Sequence, residues 1–168
     1  MHATQVPQQS ELQQELATAY FYDAYAVPLE WEGRTALQIY LDVISRTPAW
    51  MDALMAARNR IVAPFGLKDI GRFTSIDPER KAATYRIGDR AGIFSILSLS
   101  DGEVVLGDFD KHLKARISIY RDLTADGSPR VTVSTVVHIN NFLGRAYLFF
   151  VVPVHQFLVP AMLSRAMR

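Results

Sequence analysis

Four residues on two neighbouring segments could do chemistry together. Asp110 and His112 lie in "GDFDKHLKARISIY", and His138 and Asn140 close "RVTVSTVVHIN". Both segments alternate apolar and polar residues, the pattern of half-buried strands. Alternate side chains of a strand share a face, so Leu113, Ala115, Ile117 and Ile119 point one way and Asp110, His112, Lys114 and Arg116 the other. A hairpin pairing Arg121 with Pro129 sets His112 across from His138 and Asp110 across from Asn140. Two imidazoles and a carboxylate can hold a metal, and a single histidine can act as a general base. The competing reading puts both histidines on a solvated outer face beside Lys114 and Arg116, where charge pairs are weak. That reading is preferred, and neither a metal nor a cofactor is expected.

A second set consists of Arg58, Tyr147, His155 and Gln156. Arg58 falls on the same helical stripe as Met51, Leu54, Met55, Ile61 and Val62, where a guanidinium could grip a ligand carboxylate or phosphate. A snorkelling side chain at the edge of the stripe is the preferred reading. His155 sits in the apolar run "VPVHQFLV", and there a histidine is either a core residue with one hydrogen bond or a polar point in an apolar pocket. Tyr147 and Gln156 are its companions in the pocket reading.

The elements that must position these residues read clearly in outline. "FYDAYAVPLEW" (21–31) is a first strand. Thr35 and Gln38 form a capping box for a helix with Leu37, Tyr40, Leu41 and Ile44 on one stripe. Thr47 caps a second helix that ends by Pro64 and Gly66. Strand-like runs follow at 72–76, 82–88, 92–100, 103–109, 112–120 and 130–139, with Asp101-Gly102 marking a tight hairpin. Short connections imply antiparallel pairing. Asn141 caps a long apolar helix over about 142–166 that Pro153 kinks.

In a chain of 168 residues, 49% hydrophobic and 21% charged, one domain with its own core is expected. Residues 1–12 read as a mobile tail before a domain of 13–168. A formal charge of +1 offers no overall footprint for nucleic acid or for an anionic membrane. The absence of cysteine excludes disulfides and thiolate chemistry. The first residues lack the basic flank and apolar core of a signal peptide, so a cytoplasmic location is expected. Residues 146–163 approach the apolarity of a spanning helix, but Pro153, His155, Gln156 and Pro160 interrupt them. A helix buried on several sides is the preferred reading, and membrane association the competing one.

The order strand, two helices, antiparallel strands, long helix is that of the helix-grip fold of START domains and plant pollen allergens. In this α+β arrangement a curved sheet wraps a C-terminal helix. "DAYAVPL", "TPAWMDALMAARNRIVAPFGL", "GDFDKHLKARISIY" and "TVVHINNFLGRAYLFFVVPVHQFLV" together resemble DUF2867, an uncharacterised bacterial family. The most specific pieces are Asp-x-His-Leu at 110–113 and Asn-x-Leu-Gly-Arg-x-Tyr at 141–147. The resemblance implies that such domains occur alone or behind a short-chain-dehydrogenase-like domain, whose Gly-x-Gly-x-x-Gly is absent here. It implies no activity.

Three functions follow as expectations. The first is binding of a small hydrophobic or lipid-like ligand between the sheet and the last helix, with Arg58, Tyr147, His155 and Gln156 as its polar contacts. The second is an enzyme of the same fold using Asp110, His112, His138 or His155 in acid–base work. The third is a non-catalytic interaction domain for dehydrogenase-like partners.

Overall fold

The computed structural model describes residues 2–166; Met1 and residues 167–168, the outer ends of the expected tail and domain, lie outside the described residues. One antiparallel sheet contains β1 (His2–Ala3), β2 (Phe21–Pro28), β3 (Arg90–Ala91), β4 (Phe94–Leu99), β5 (Glu103–Phe109), β6 (Leu113–Leu123) and β7 (Pro129–Ile139). Its order is β1-β2-β7-β6-β5-β4-β3, so the chain meanders from β3 to β7 and β2 closes against the last strand. Three α-helices complete the α+β architecture: α1 (Ala36–Ser45), α2 (Ala49–Val62) and α3 (Phe142–Ala166).

The main core lies between one sheet face and α1. Both halves of the Thr35 capping box form: the Thr35 hydroxyl accepts from Gln38 N–H at 3.2 Å, and Gln38 accepts from Thr35 N–H at 2.7 Å. The stripe that follows buries Leu37, Tyr40 and Ile44 against Val27, Leu106, Ile119 and Val131. Tyr40 crosses this core and donates to the Ala91 carbonyl at 2.8 Å, tying α1 to β3. Burial pushes the Tyr40 phenol well above its ordinary pKa of 10.0, with nearby Arg90 opposing the shift. A raised folded-state pKa stabilises the fold fully below the unfolded value, and that stability is lost as pH climbs past it. The melting temperature is therefore expected to fall above about pH 10, and less steeply in Tyr40→Phe. At neutral pH that variant costs about 1–3 kcal/mol, because the Ala91 carbonyl loses its donor in the core. Thermal melts of both proteins across alkaline pH check this.

Several expectations need correction. Residues 2–12 are not a mobile tail: β1 pairs with β2, and Val6 and Leu12 are buried with Ala24, Val105 and Val136. A 3-10 helix at Glu11–Thr18, capped by Ser10, thus covers the face expected to be solvated. Segments 72–76 and 82–88 are not strands. Asp89 accepts from Arg86 N–H at 2.8 Å and pairs with Arg80, which folds this stretch into turns around Ala82–Thr84. Thr47 does not cap α2: Pro48 holds the N-cap position, and the Thr47 hydroxyl is buried without a partner. On α2, Met51 and Val62 are buried, whereas Leu54 and Ile61 of the same expected stripe are exposed.

The largest correction concerns α3. Its residues run helically through Pro153 and Pro160, but only 11% of its most apolar stretch is buried. The sheet does not enclose this helix. It lies against the sheet by one narrow stripe, in which Leu148 packs on Leu113 and Val137, and Leu163 with Val159 joins the main core.

Candidate functional site: a polar seam under the terminal helix

The β6–β7 register pairs Leu113 with Ile139 and Lys114 with His138. It differs by two residues from the expected pairing, so faces are preserved but His112 and His138 do not meet. Among the described residues no three groups of His, Asp or Glu cluster as metal ligands.

Asp110, His112 and Asn140 stay together through bonds that involve the backbone, with Asn140 Nδ2 donating to the Asp110 carbonyl at 3.3 Å, whereas His138 stands apart. Asp110 Oδ1 accepts from His112 N–H at 2.5 Å and from Leu113 N–H at 3.3 Å, shaping the turn into β6. Asn140 donates its backbone N–H to the His112 carbonyl at 2.8 Å. The His112 ring is buried, with Nδ1 3.0–3.2 Å from the Asn141 side-chain amide and Nε2 without a partner. Asn141 also caps α3, accepting from Gly144 N–H at 3.1 Å. His138 instead faces the N-terminal segment, with its ring nitrogens 3.1 Å from the Thr18 carbonyl and 3.2 Å from Glu15 Oε2.

The second set is spread along α3. Arg58 on α2 donates from Nε to the Tyr147 hydroxyl at 2.9 Å and from Nη1 to the Lys68 carbonyl at 2.8 Å, with its guanidinium 5.2 Å from the Tyr147 ring centre. These bonds join α2, α3 and the loop after α2. His155 turns toward the sheet: Nε2 lies 3.2 Å from Asp23 Oδ1, and its ring meets Phe21 edge-on at 5.9 Å. Gln156, one residue on, is exposed.

Asp23 is the residue that sequence reasoning missed. It stands on the apolar face of β2, between Phe21 and Tyr25, and pairs in register with Thr135 of β7. Its signal was available: a carboxylate in a row that otherwise reads Phe21, Tyr25, Val27. Burying such a group is costly without a compensating partner. Here Oδ1 has His155, while Asp23 Oδ2 and Thr135 Oγ1 are both buried without a hydrogen-bond partner. The two residues share one register position on the face toward α3, but they do not hydrogen-bond each other. Burial first, then the charge of the Asp23 carboxylate and the phenol's own hydrogen bonding toward it, hold the Tyr25 phenol above its usual pKa. Phe21 and Tyr25, on either side of Asp23 along β2, are half-buried, and Phe21 meets His155 of α3. Chemically, the two unpartnered oxygens can accept one or two hydrogen bonds from a donor presented on an apolar body.

A family model described as a protein of unknown function, DUF2867, matches residues 15–162. No curated protein and no solved structure matches the chain. The chain belongs to the DUF2867 family.

Proposed function

We propose that this DUF2867 member is a cytoplasmic binding module for a small apolar or lipid-like molecule, held between the sheet and α3. The observation that carries the reading is the unpartnered pair of Asp23 Oδ2 and Thr135 Oγ1 in an apolar seam. A buried acceptor left unmade costs about 1–3 kcal/mol, and a ligand donor recovers much of that. The head group is accordingly a hydroxyl or an ammonium rather than a carboxylate. Arg58, the cation suited to a carboxylate, already donates to Tyr147, Asn59 and Lys68. The apolar body supplies the remaining affinity, at about 25 cal/mol per Å² removed from water. The shallow seating of α3 favours this use, since a helix held by a narrow stripe can move outward to admit a molecule.

A second reading draws on the contact between Asp23 and His155. Asp23 orients His155 through Nε2, which leaves Nδ1 to exchange a proton, the arrangement of a positioned general base. Native mass spectrometry of the purified chain tests the leading reading. The expected spectrum shows one small-molecule adduct on the wild type that is absent from Asp23→Leu, with both proteins folded. An adduct unchanged in Asp23→Leu, or a wild type that takes up neither cellular lipid nor added dodecanol, overturns it.

A further inference from the structure

The outer side of α3 and its neighbour α2 is the largest feature that ligand binding in the seam does not use. The two helices run in opposite directions and are bridged by long side chains. Trp50 meets Phe157 with ring centres 6.4 Å apart, Arg58 reaches Tyr147 further along, and Arg46 and Trp50 share an open groove with Ala161, Ser164 and Arg165. Their outward residues therefore belong to one surface. It carries Trp50 (41% exposed), Leu54 (44%), Ile61 (67%), Phe149 (76%), Phe150 (72%) and Phe157 (65%). Each aromatic side chain brings roughly 150–250 Å² of surface, so this patch reaches the several hundred Å² that mark an interaction site.

Its charges say what covers it. Across α2 and α3 the one carboxylate is Asp52, and that group is turned inward, accepting from Phe73 N–H at 2.8 Å and from the Thr74 hydroxyl. The exposed charges around the apolar patch include Arg46, Arg60 and Arg165, and none of these three makes an ion pair among the described residues. An apolar face with a tryptophan, ringed by unpaired arginines and free of outward carboxylates, matches the headgroup layer of an anionic bilayer. A second copy of the chain fits poorly. A two-fold interface would bring the same arginines together around the patch, with no carboxylate to meet them. Nor does α3 span the bilayer in this arrangement. Its mean hydropathy of 1.7 would permit it, but Leu148, Leu163 and the His155–Asp23 bond keep one side on the sheet.

We propose that the outer face of α2 and α3 is a membrane-docking surface, lying flat in an anionic bilayer, with a lipid phosphate taken in the groove between Arg46 and Arg165. That groove, about 630 Å³ and open to solvent, has Trp50 at its wall. Guanidinium groups bind phosphate oxygens in a forked, directional way, and tryptophan favours the membrane–water boundary.

Vesicle flotation of the full chain tests this. With vesicles of mixed phosphatidylcholine and phosphatidylglycerol, the protein is expected to float, and to float less as salt rises. With phosphatidylcholine alone it is expected to stay behind. The double variants Phe149→Ser/Phe150→Ser and Arg46→Glu/Arg165→Glu should each lower partitioning by roughly tenfold or more. The altered side chains are exposed, so circular dichroism and melting should be unchanged. The proposal is overturned if the wild type floats with neither vesicle, or if the arginine reversals leave flotation unaltered. It is also overturned if the chain alone is a stable dimer that Phe149→Ser/Phe150→Ser dissociates, since a second copy would then cover the face.

Discussion

Replacing Glu103 with alanine is expected to detach the N-terminal segment from the sheet and to cost roughly 3 kcal/mol. Glu103 begins β5 and is buried. One carboxylate oxygen accepts from the Ser10 hydroxyl at 2.6 Å and the Ser118 hydroxyl at 2.5 Å, and the other accepts from Glu11 N–H at 3.1 Å. Ser10 in turn caps the 3-10 helix through Leu12 N–H at 3.2 Å. A single side chain thus links the cap of the covering segment to the middle of β6. Alanine leaves two hydroxyls and an N–H without their acceptor, under a layer that excludes water. Glutamine keeps an acceptor oxygen and should cost less. Denaturant melts give the stability change, and limited proteolysis gives its location. New cleavage before residue 20 is expected, with the sheet intact. If Glu103→Ala retains wild-type stability and an uncut N-terminus, the segment is not held in this way.

Gly144→Ala is expected to destabilise by about 3 kcal/mol, against the sign that helix propensity alone predicts. In the first turn of α3, alanine normally improves a helix by up to about 1 kcal/mol over glycine. Here a Cβ would lie closer than 3.0 Å to the His112 carbonyl oxygen and 3.1 Å from its carbonyl carbon. Backbone on both sides cannot yield as a flexible side chain does, so α3 must back away from the β6 turn. Its seating weakens first near Leu148, which packs on Leu113 and Val137. A melting temperature at or above wild type would mean that α3 does not approach His112 this closely.

The sequence carried the faces of the sheet better than its pairings. Alternation in 113–123 and 129–139 assigns each residue to its side, and the Thr35 and Asn141 caps fix where α1 and α3 begin. The hairpin is what alternation could not place. Leu123 pairs with Pro129, and the turn closes later, through Thr124 N–H to the Ser128 carbonyl and Gly127 N–H to the Thr124 carbonyl. A shift of two residues keeps every side chain on its face while separating His112 from His138.

The N-terminal layer was illegible for a different reason. "QQSELQQELA" has little apolar periodicity, and its attachment depends on Leu12 and on a partner, Glu103, more than ninety residues away. For α3, near-continuous apolarity predicts burial by protein, yet composition does not say what shields a helix. Asp23 was overlooked because only the register with Thr135 and the approach of His155 make it part of a site.

The most direct measurement of the central claim is an amide-resolved NMR titration of the full chain with dodecanol, and separately with dodecanoate. Saturable shifts are expected for dodecanol along Phe21–Val27, Val133–Val137 and the His155 turn of α3, lost in Asp23→Leu, with dodecanoate far weaker. Shifts confined to the outer face around Trp50 and Phe149, or equal responses to the two ligands, would contradict the claim.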